Sequence, residues 1–251
     1  MDHMIYTALS GAKQTLERQS IVANNMANAS TPGFRAELSA YRAVPVNGAG
    51  HQTRAIVAES TPGSDFQTGT IQTTGRALDV AIDGQGWLAV QSPDGSEGYT
   101  RGGGLQVDST GLLRSNGQAV LGEDGPIVMP LGAEDVSIAS DGTISAVAAG
   151  GQPNARAEIG RLKLVNPAEG SLMRGEDGLF HIRTPNGQPA PAQPLDDTVR
   201  LVSGAIESSN VNPTEAMVAM IDNARRFEMQ MKMLQSADEN DQKANSLLSL
   251  S

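Results

Sequence analysis

Asn24-Asn25-Met26-Ala27-Asn28-Ala29-Ser30-Thr31-Pro32-Gly33-Phe34-Arg35 is the stretch where a helical rhythm stops. Pro32 disfavours the α region for Thr31, and Gly33 permits left-handed geometry, so Ser30 to Gly33 reads as a helix terminator. Upstream, Ile5, Leu9, Ala12, Leu16, Ala23 and Met26 follow a spacing of fours and threes, with Gln19 the polar member of the seam. That a/d heptad pattern predicts a helix from Asp2 to Asn28 that packs on another helix at a shallow angle.

The other end of the chain offers the second helix. Asn212 is a good N-cap, Pro213 suits the first helical position, and Glu215 completes a capping box. Met217, Met220, Ala224, Phe227, Met231 and Leu234 then mark one apolar face. Two helices at opposite ends, each with a single seam, predict an α-helical coiled-coil domain formed by the paired N- and C-terminal segments.

Between them the period changes from helical to alternating. Asp83, Asp94, Asp124, Asp141 and Asp177 are each followed by Gly, and Asn-Gly pairs begin at Asn47, Asn116 and Asn186. These dipeptides accept the positive φ of tight hairpin turns. Short alternating runs flank many of them, including Leu78-Val80-Ile82, Trp87 to Val90, Leu105-Val107 and Val136-Ile138. The expected centre is mainly β, antiparallel and hairpin-rich, a sandwich or distorted barrel. The expected division is a discontinuous terminal helical domain (1–35 and 205–251), an extended connector (36–75) and a β-rich outer domain (76–204).

Composition narrows the function. A net charge of −10 argues against a nucleic-acid partner. The absence of Cys removes disulfides, thiolate metal sites and cysteine nucleophiles together. No apolar run approaches the ~20 residues of a membrane span, so no membrane insertion is expected. The first residues, with His3, Lys13, Glu17 and Arg18, show no secretory signal pattern, which by the ordinary code predicts a cytosolic protein.

The stretch Asn24 to Arg35 resembles the signature of bacterial flagellar rod and hook axial proteins. A second motif of that family is matched by Glu207-Ser208-Ser209-Asn210-Val211, then Glu215, Met220-Ile221, Arg225 and Phe227-Glu228. The centre matches through Leu78-Asp79-Val80-Ala81-Ile82, Gly84-Gln85-Gly86-Trp87 and Tyr99-Thr100-Arg101. The opening Met1 to Leu9 and the run Ala29 to Ala36 resemble the proximal-rod branch most, with the distal-rod branch sharing the architecture.

The resemblance implies a structural subunit of the flagellar basal body that polymerises through its terminal helices into the periplasm-spanning rod. It implies export without a cleaved signal, through the flagellar type III apparatus, which replaces the cytosolic expectation. Implied partners are other rod proteins and further copies of the chain. The implied assembly residues are Asn24, Asn25, Asn28, Thr31, Pro32, Gly33, Phe34, Glu207, Ser209, Asn210, Val211, Met220, Ile221, Arg225 and Phe227. The seam residues are Ile5, Leu9, Leu16, Met26, Met217, Ala224, Met231 and Leu234. The Asn and Ser residues at the helix ends serve ordinarily as caps; the sharper reading has Asn25 and Asn210 bonding across subunits.

An enzyme reading finds little chemistry. His3, His51 and His181 lack metal-ligand spacing, and no cofactor or metal is expected. Ser10-Gly11-Ala12-Lys13 has the Ser-x-x-Lys pattern without the motifs that accompany it in β-lactamases. The carboxylate pairs Glu176-Asp177, Asp196-Asp197 and Asp238-Glu239 sit in turns or on a solvated helix rather than in a glycosidase arrangement. A β-rich ligand-binding module is a third class. With aromatics at only 3%, stacking surface for sugars is scarce.

Overall fold

The structure, a computed structural model, describes residues 2–45, 55–148, 150, 156–184 and 190–248. The side chains of 2–5, 43, 55, 56, 58–62, 241, 244, 245, 247 and 248 lie outside that description, as do Asn47, His51 and Asn186 entirely. The chain forms two compact units. One contains residues 1–29, 37–65 and 211–251, and the other residues 30–36 and 66–210.

In the first unit α1 spans Asp2–Ala27 and α2 spans Pro213–Leu248. The α1 terminus closes with Asn28 N donating to Asn24 O at 3.1 Å, one residue short of the expected end. At the start of α2, Asn212 Oδ1 accepts from Thr214 N at 3.0 Å and Glu215 N at 3.3 Å, satisfying two of the orphan amides of the first turn. Strands β1 (Glu37–Pro45) and β2 (Ala55–Ser64) pair antiparallel, with an irregularity between Leu38 and Ala40. The expected connector at 36–75 thus contains a paired hairpin. Its weak alternation hid it, since Leu38 and Val44 are both exposed. The Ser10 hydroxyl donates to Val57 O at 3.3 Å, joining α1 to β2.

The second unit is antiparallel β throughout its described pairings. Strands β3 (Ile71–Thr73), β4 (Val80–Asp83), β5 (Trp87–Gln91), β6 (Glu97–Thr100), β7 (Leu105–Val107), β8 (Leu113–Ser115) and β9 (Gln118–Gly122) open it. The largest sheet has nine strands and runs from 172–174 through 180–182, β6, β5, β9 and β8 to β7. Residues 134–138, 143–147 and 156–161 form a three-stranded sheet; 200–203 pairs with β4 and 205–207 with β3. Among the described residues no barrel closes.

The turn reading from sequence is met at the hairpins. The Gly of each Asp-Gly pair has positive φ, between 78° and 125°. Asn116 (49°) and Gly117 (85°) form the two-residue loop between β8 and β9, where Ser115 pairs with Gln118. Strand alternation then sends Val80, Leu88, Val90, Leu113, Val120, Ile144 and Leu162 into one core. The opposite faces of β5 and β6 send Trp87, Ala89 and Tyr99 into a second, with Phe180. Trp87 and Phe180 lie 4.7 Å apart between ring centroids, and Phe66 meets Trp87 edge-on at 6.0 Å.

Candidate assembly site

Within the first unit α1 and α2 pack along their lengths and run antiparallel. Thr7 and Ala8 share a cavity with Met233, Leu234 and Ala237, while Ala12, Lys13, Gln14 and Leu16 share another with Phe227 and Met231. The inward face of α2 is Ala216, Met220, Asn223, Phe227, Gln230, Leu234 and Ala237, all buried or half-buried, at alternating spacings of four and three. Buried or half-buried positions on α1 include Ala8, Ala12, Thr15, Gln19, Val22 and Met26 at the same spacing.

This seam is not the apolar one read from the sequence. The two overlap at Ala12, Gln19, Met26, Met220, Phe227 and Leu234, and differ by one residue between those points. Leu9 is 55% exposed, Leu16 54%, Met217 51% and Met231 40%, and Ala224 is exposed. In their places Thr15, Asn223 and Ala216 are buried. The pair closes on a mixture of small, polar and apolar residues, Met220, Phe227 and Leu234 among them, and leaves Leu9, Leu16, Met217 and Met231 outside. Ile5 lies outside the described side chains.

The motif residues of the second unit meet at one carboxylate. Glu207, on strand 205–207, is 1% exposed and sits between two guanidiniums. Arg35 Nη1 lies 2.6 Å from its Oε1 as an ion pair without hydrogen-bond alignment, and Arg101 Nη1 donates to its Oε2 at 3.0 Å. Gly69 N donates to Oε1 at 2.8 Å, and Gly33 N to the Glu207 carbonyl at 2.8 Å. Arg101 also donates to Gly84 O at 2.6 Å and stands 5.5 Å from the Trp87 ring centroid. Burial lowers the pKa of Arg101, and the Glu207 charge opposes that shift. The N-terminal, central and C-terminal motifs, far apart in sequence, therefore contribute one residue each to a buried ion triad.

Gly33 explains why its position takes no side chain. Its φ is 72°, and a Cβ there would fall 2.2 Å from the Arg101 carbonyl carbon. Beside it, the Arg174 guanidinium covers the Phe34 ring at 4.2 Å from its centroid.

The asparagines organise backbone within their own units. Asn25 Oδ1 accepts from Glu37 N at 2.8 Å and its Nδ2 donates to Glu37 O at 2.9 Å, copying a strand partner at the first residue of β1. Asn210 Oδ1 accepts from Ala36 N at 2.7 Å and its Nδ2 donates to Gln67 O at 3.0 Å. Asn28 Nδ2 donates to Asn24 O at 3.0 Å. Thr31 O accepts from Phe34 N at 3.2 Å. Thr31, Pro32, Ser209 and Val211 are half-buried, whereas Ile221 and Arg225 are exposed. Arg35 and Arg101 belong to the quoted motifs, but nothing local to either marks it as a partner of Glu207.

A helix pair with an unused apolar stripe, and a β unit whose motif residues close on one carboxylate, define a class. Three families cover these parts: the flagella basal body rod protein family at residues 5–35, the flagellar hook protein FlgE/F/G D1 domain at 81–146, and the flagellar basal body rod FlgEFG protein C-terminal family at 202–247. The class is that of flagellar rod and hook proteins.

The flagellar basal-body rod protein FlgF of Salmonella typhimurium is 53% identical over 253 residues, covering all of both chains. FlgF of Escherichia coli K12 is also 53% identical, over 252 residues and all of both chains. FlgG of Bacillus subtilis is 32% identical over 253 residues, with 94% of this chain and 95% of that one covered. The chain belongs to the flagellar basal-body rod protein family, as a structural component of the flagellum similar to FlgF along its full length.

Proposed function

We propose that this chain is a non-catalytic subunit of the proximal rod that polymerises through its terminal helices into the shaft crossing the periplasm. The observation that carries the reading is the apolar stripe outside the α1–α2 pair. Leu9, Leu16, Met217, Val218, Ile221 and Met231 are each at least 40% exposed on the two helices. A run of this kind at helical spacing is a packing surface for further helices. Its occupants are other rod proteins and further copies of this chain. Delivery is through the flagellar type III export apparatus. The net charge of −10 leaves nucleic acid a poor partner, and among the described residues no helix is long and apolar enough to cross a membrane.

The test is the triple substitution Leu9→Asn, Leu16→Asn and Met231→Asn, which changes the outer stripe and spares the inner seam. The expected result is an exported chain that is absent from isolated basal bodies, in cells that do not swim. Normal swimming with normal incorporation would sink the reading. A tagged copy found in the distal segment of isolated basal bodies would replace the proximal placement with an FlgG-like one.

A further inference from the structure

We infer that Met217 and Met231 form an oxidation-sensitive site, where conversion of the thioether to the sulfoxide by a hypohalous acid bars the chain from the rod. The inference rests on the assembly role given above to the outer stripe. The chain holds ten Met and no Cys, so methionine carries all of its sulfur and the oxidant leaves no disulfide on it. Met217, Met220, Met229, Met231 and Met233 crowd one stretch of α2. Of these, Met217 and Met231 belong to the stripe: at 3.6 residues per turn they share one shoulder of the helix with Ile221. Pairing with α1 leaves both exposed, and an unpaired α2 covers them no better, so their sulfurs are open before assembly in either state.

In the oxidation the sulfur lone pair takes chlorine from hypochlorous acid and hydroxide departs. Hydroxide then displaces chloride and the proton leaves, so sulfur gives up two electrons, chlorine ends as chloride and one S–O bond forms. The product turns a flexible apolar side chain into a polar one. Its oxygen needs a hydrogen-bond donor once water is excluded, and the other stripe residues, Leu9, Leu16, Val218 and Ile221, have none on their side chains. Packing a neighbour on the stripe therefore strips the sulfoxide of its hydration without replacing it. Separate enzymes reduce the two sulfoxide epimers, which makes the block reversible. After incorporation the neighbour covers both sulfurs, so the sensitivity belongs to the chain before it packs.

The β unit supplies an internal control. Met173, on strand 172–174, is 47% exposed, within the range of the two stripe methionines, and lies on neither helix. The experiment uses the wild-type chain in cells lacking the sulfoxide reductases, given a sublethal dose of hypochlorous acid while new rods form. Chain from isolated basal bodies is compared with unincorporated chain of the same cells by peptide mass spectrometry. Sulfoxide at Met217 and Met231 should be about tenfold rarer in the incorporated chain, equivalent to ~1.4 kcal/mol against packing. Sulfoxide at Met173 should be equally frequent in both. Finished basal bodies given the same dose should show Met173 oxidised, with Met217 and Met231 protected by a similar factor.

Equal sulfoxide at Met217 and Met231 in incorporated and unincorporated chain overturns the inference. So does depletion of Met173 sulfoxide to the same degree, which would assign the exclusion to damage of the chain as a whole. Oxidation of Met217 and Met231 in finished basal bodies as fully as Met173 overturns it as well. The outer-stripe triple Asn variant separates the two failures. If the stripe is not the packing surface, that variant is incorporated normally; if only this inference fails, the variant is excluded while the sulfoxide chain is not.

Discussion

Replacing Glu207 with Gln keeps the shape of the side chain and removes the charge between Arg35 and Arg101. Both arginines would remain buried, at 0% and 5% exposure, with no carboxylate within the triad. The amide oxygen can still accept from Gly69 N, now at 2.8 Å from Oε1, so one contact survives. Removing one member of a buried charge pair costs about 3–5 kcal/mol, because the remaining charge is left uncompensated. Here two cations remain and repel each other, so the upper part of that range applies. Native domains have only about 5–15 kcal/mol in all.

Trp87 is the chain's single Trp and stands 5.5 Å from the Arg101 guanidinium, so its fluorescence reports this unit. With a urea slope of roughly 2 kcal/mol/M, a loss near 4 kcal/mol moves the Trp87 unfolding midpoint down by about 2 M. A shift corresponding to less than ~1 kcal/mol would show that the triad is hydrated in solution and would refute the reasoning. A triad replaced entirely by apolar residues, Arg35→Met, Arg101→Met and Glu207→Leu, should recover most of the loss.

Two further outcomes follow from other sites. Asn25→Ala leaves the Glu37 amide and carbonyl without their side-chain partner, a cost of about 1–3 kcal/mol; hydrogen exchange at Glu37 should quicken by tenfold or more, and unchanged protection would dismiss the strand-mimic role. Asp108 is held well below its ordinary pKa by hydrogen bonds from the Thr110 hydroxyl and Arg114, with the Thr110 and Leu112 amides adding to them. A carboxylate with a lowered folded pKa stabilises above its unfolded value near 3.8, and that contribution fades as pH falls through the folded value. The stability difference between wild type and Asp108→Asn should therefore be full above pH ~4 and shrink steadily as the pH falls below it towards the folded value; parallel curves would contradict the assignment.

The helices were readable because their signals are local. α1 ends at Ala27, a few residues before Pro32 and Gly33 bar any continuation, and the Asn212 side chain meets the first amides of α2. The Asp-Gly and Asn-Gly turns were readable for the same reason, since positive φ is demanded by the turn itself. The hairpin at 37–64 was not, because the half-buried positions of its first strand are Glu37, Ser39 and Tyr41 while Leu38 is exposed, so no apolar period of two marks it in the sequence.

Which stripe of each helix turns inward was also beyond the sequence. At 3.6 residues per turn, two stripes one residue apart share half their members, and hydrophobicity favours the one with Leu9, Leu16 and Met231. The pair takes the other, because Gly11, Ala12 and Ala216 let the helices approach and Thr15 meets Gln230 across the gap. Such a choice depends on the shape of two surfaces at once.

By itself the sequence determined the terminal helices, the hairpin turns and the family, all properties of short contiguous runs. Only the tertiary structure decided that Arg35, Arg101 and Glu207 share one buried charge site, and that Leu9, Leu16 and Met231 stay outside the helix pair. Ion pairing and packing join residues more than a hundred positions apart, and no local pattern records which of several possible partners the fold will bring within reach.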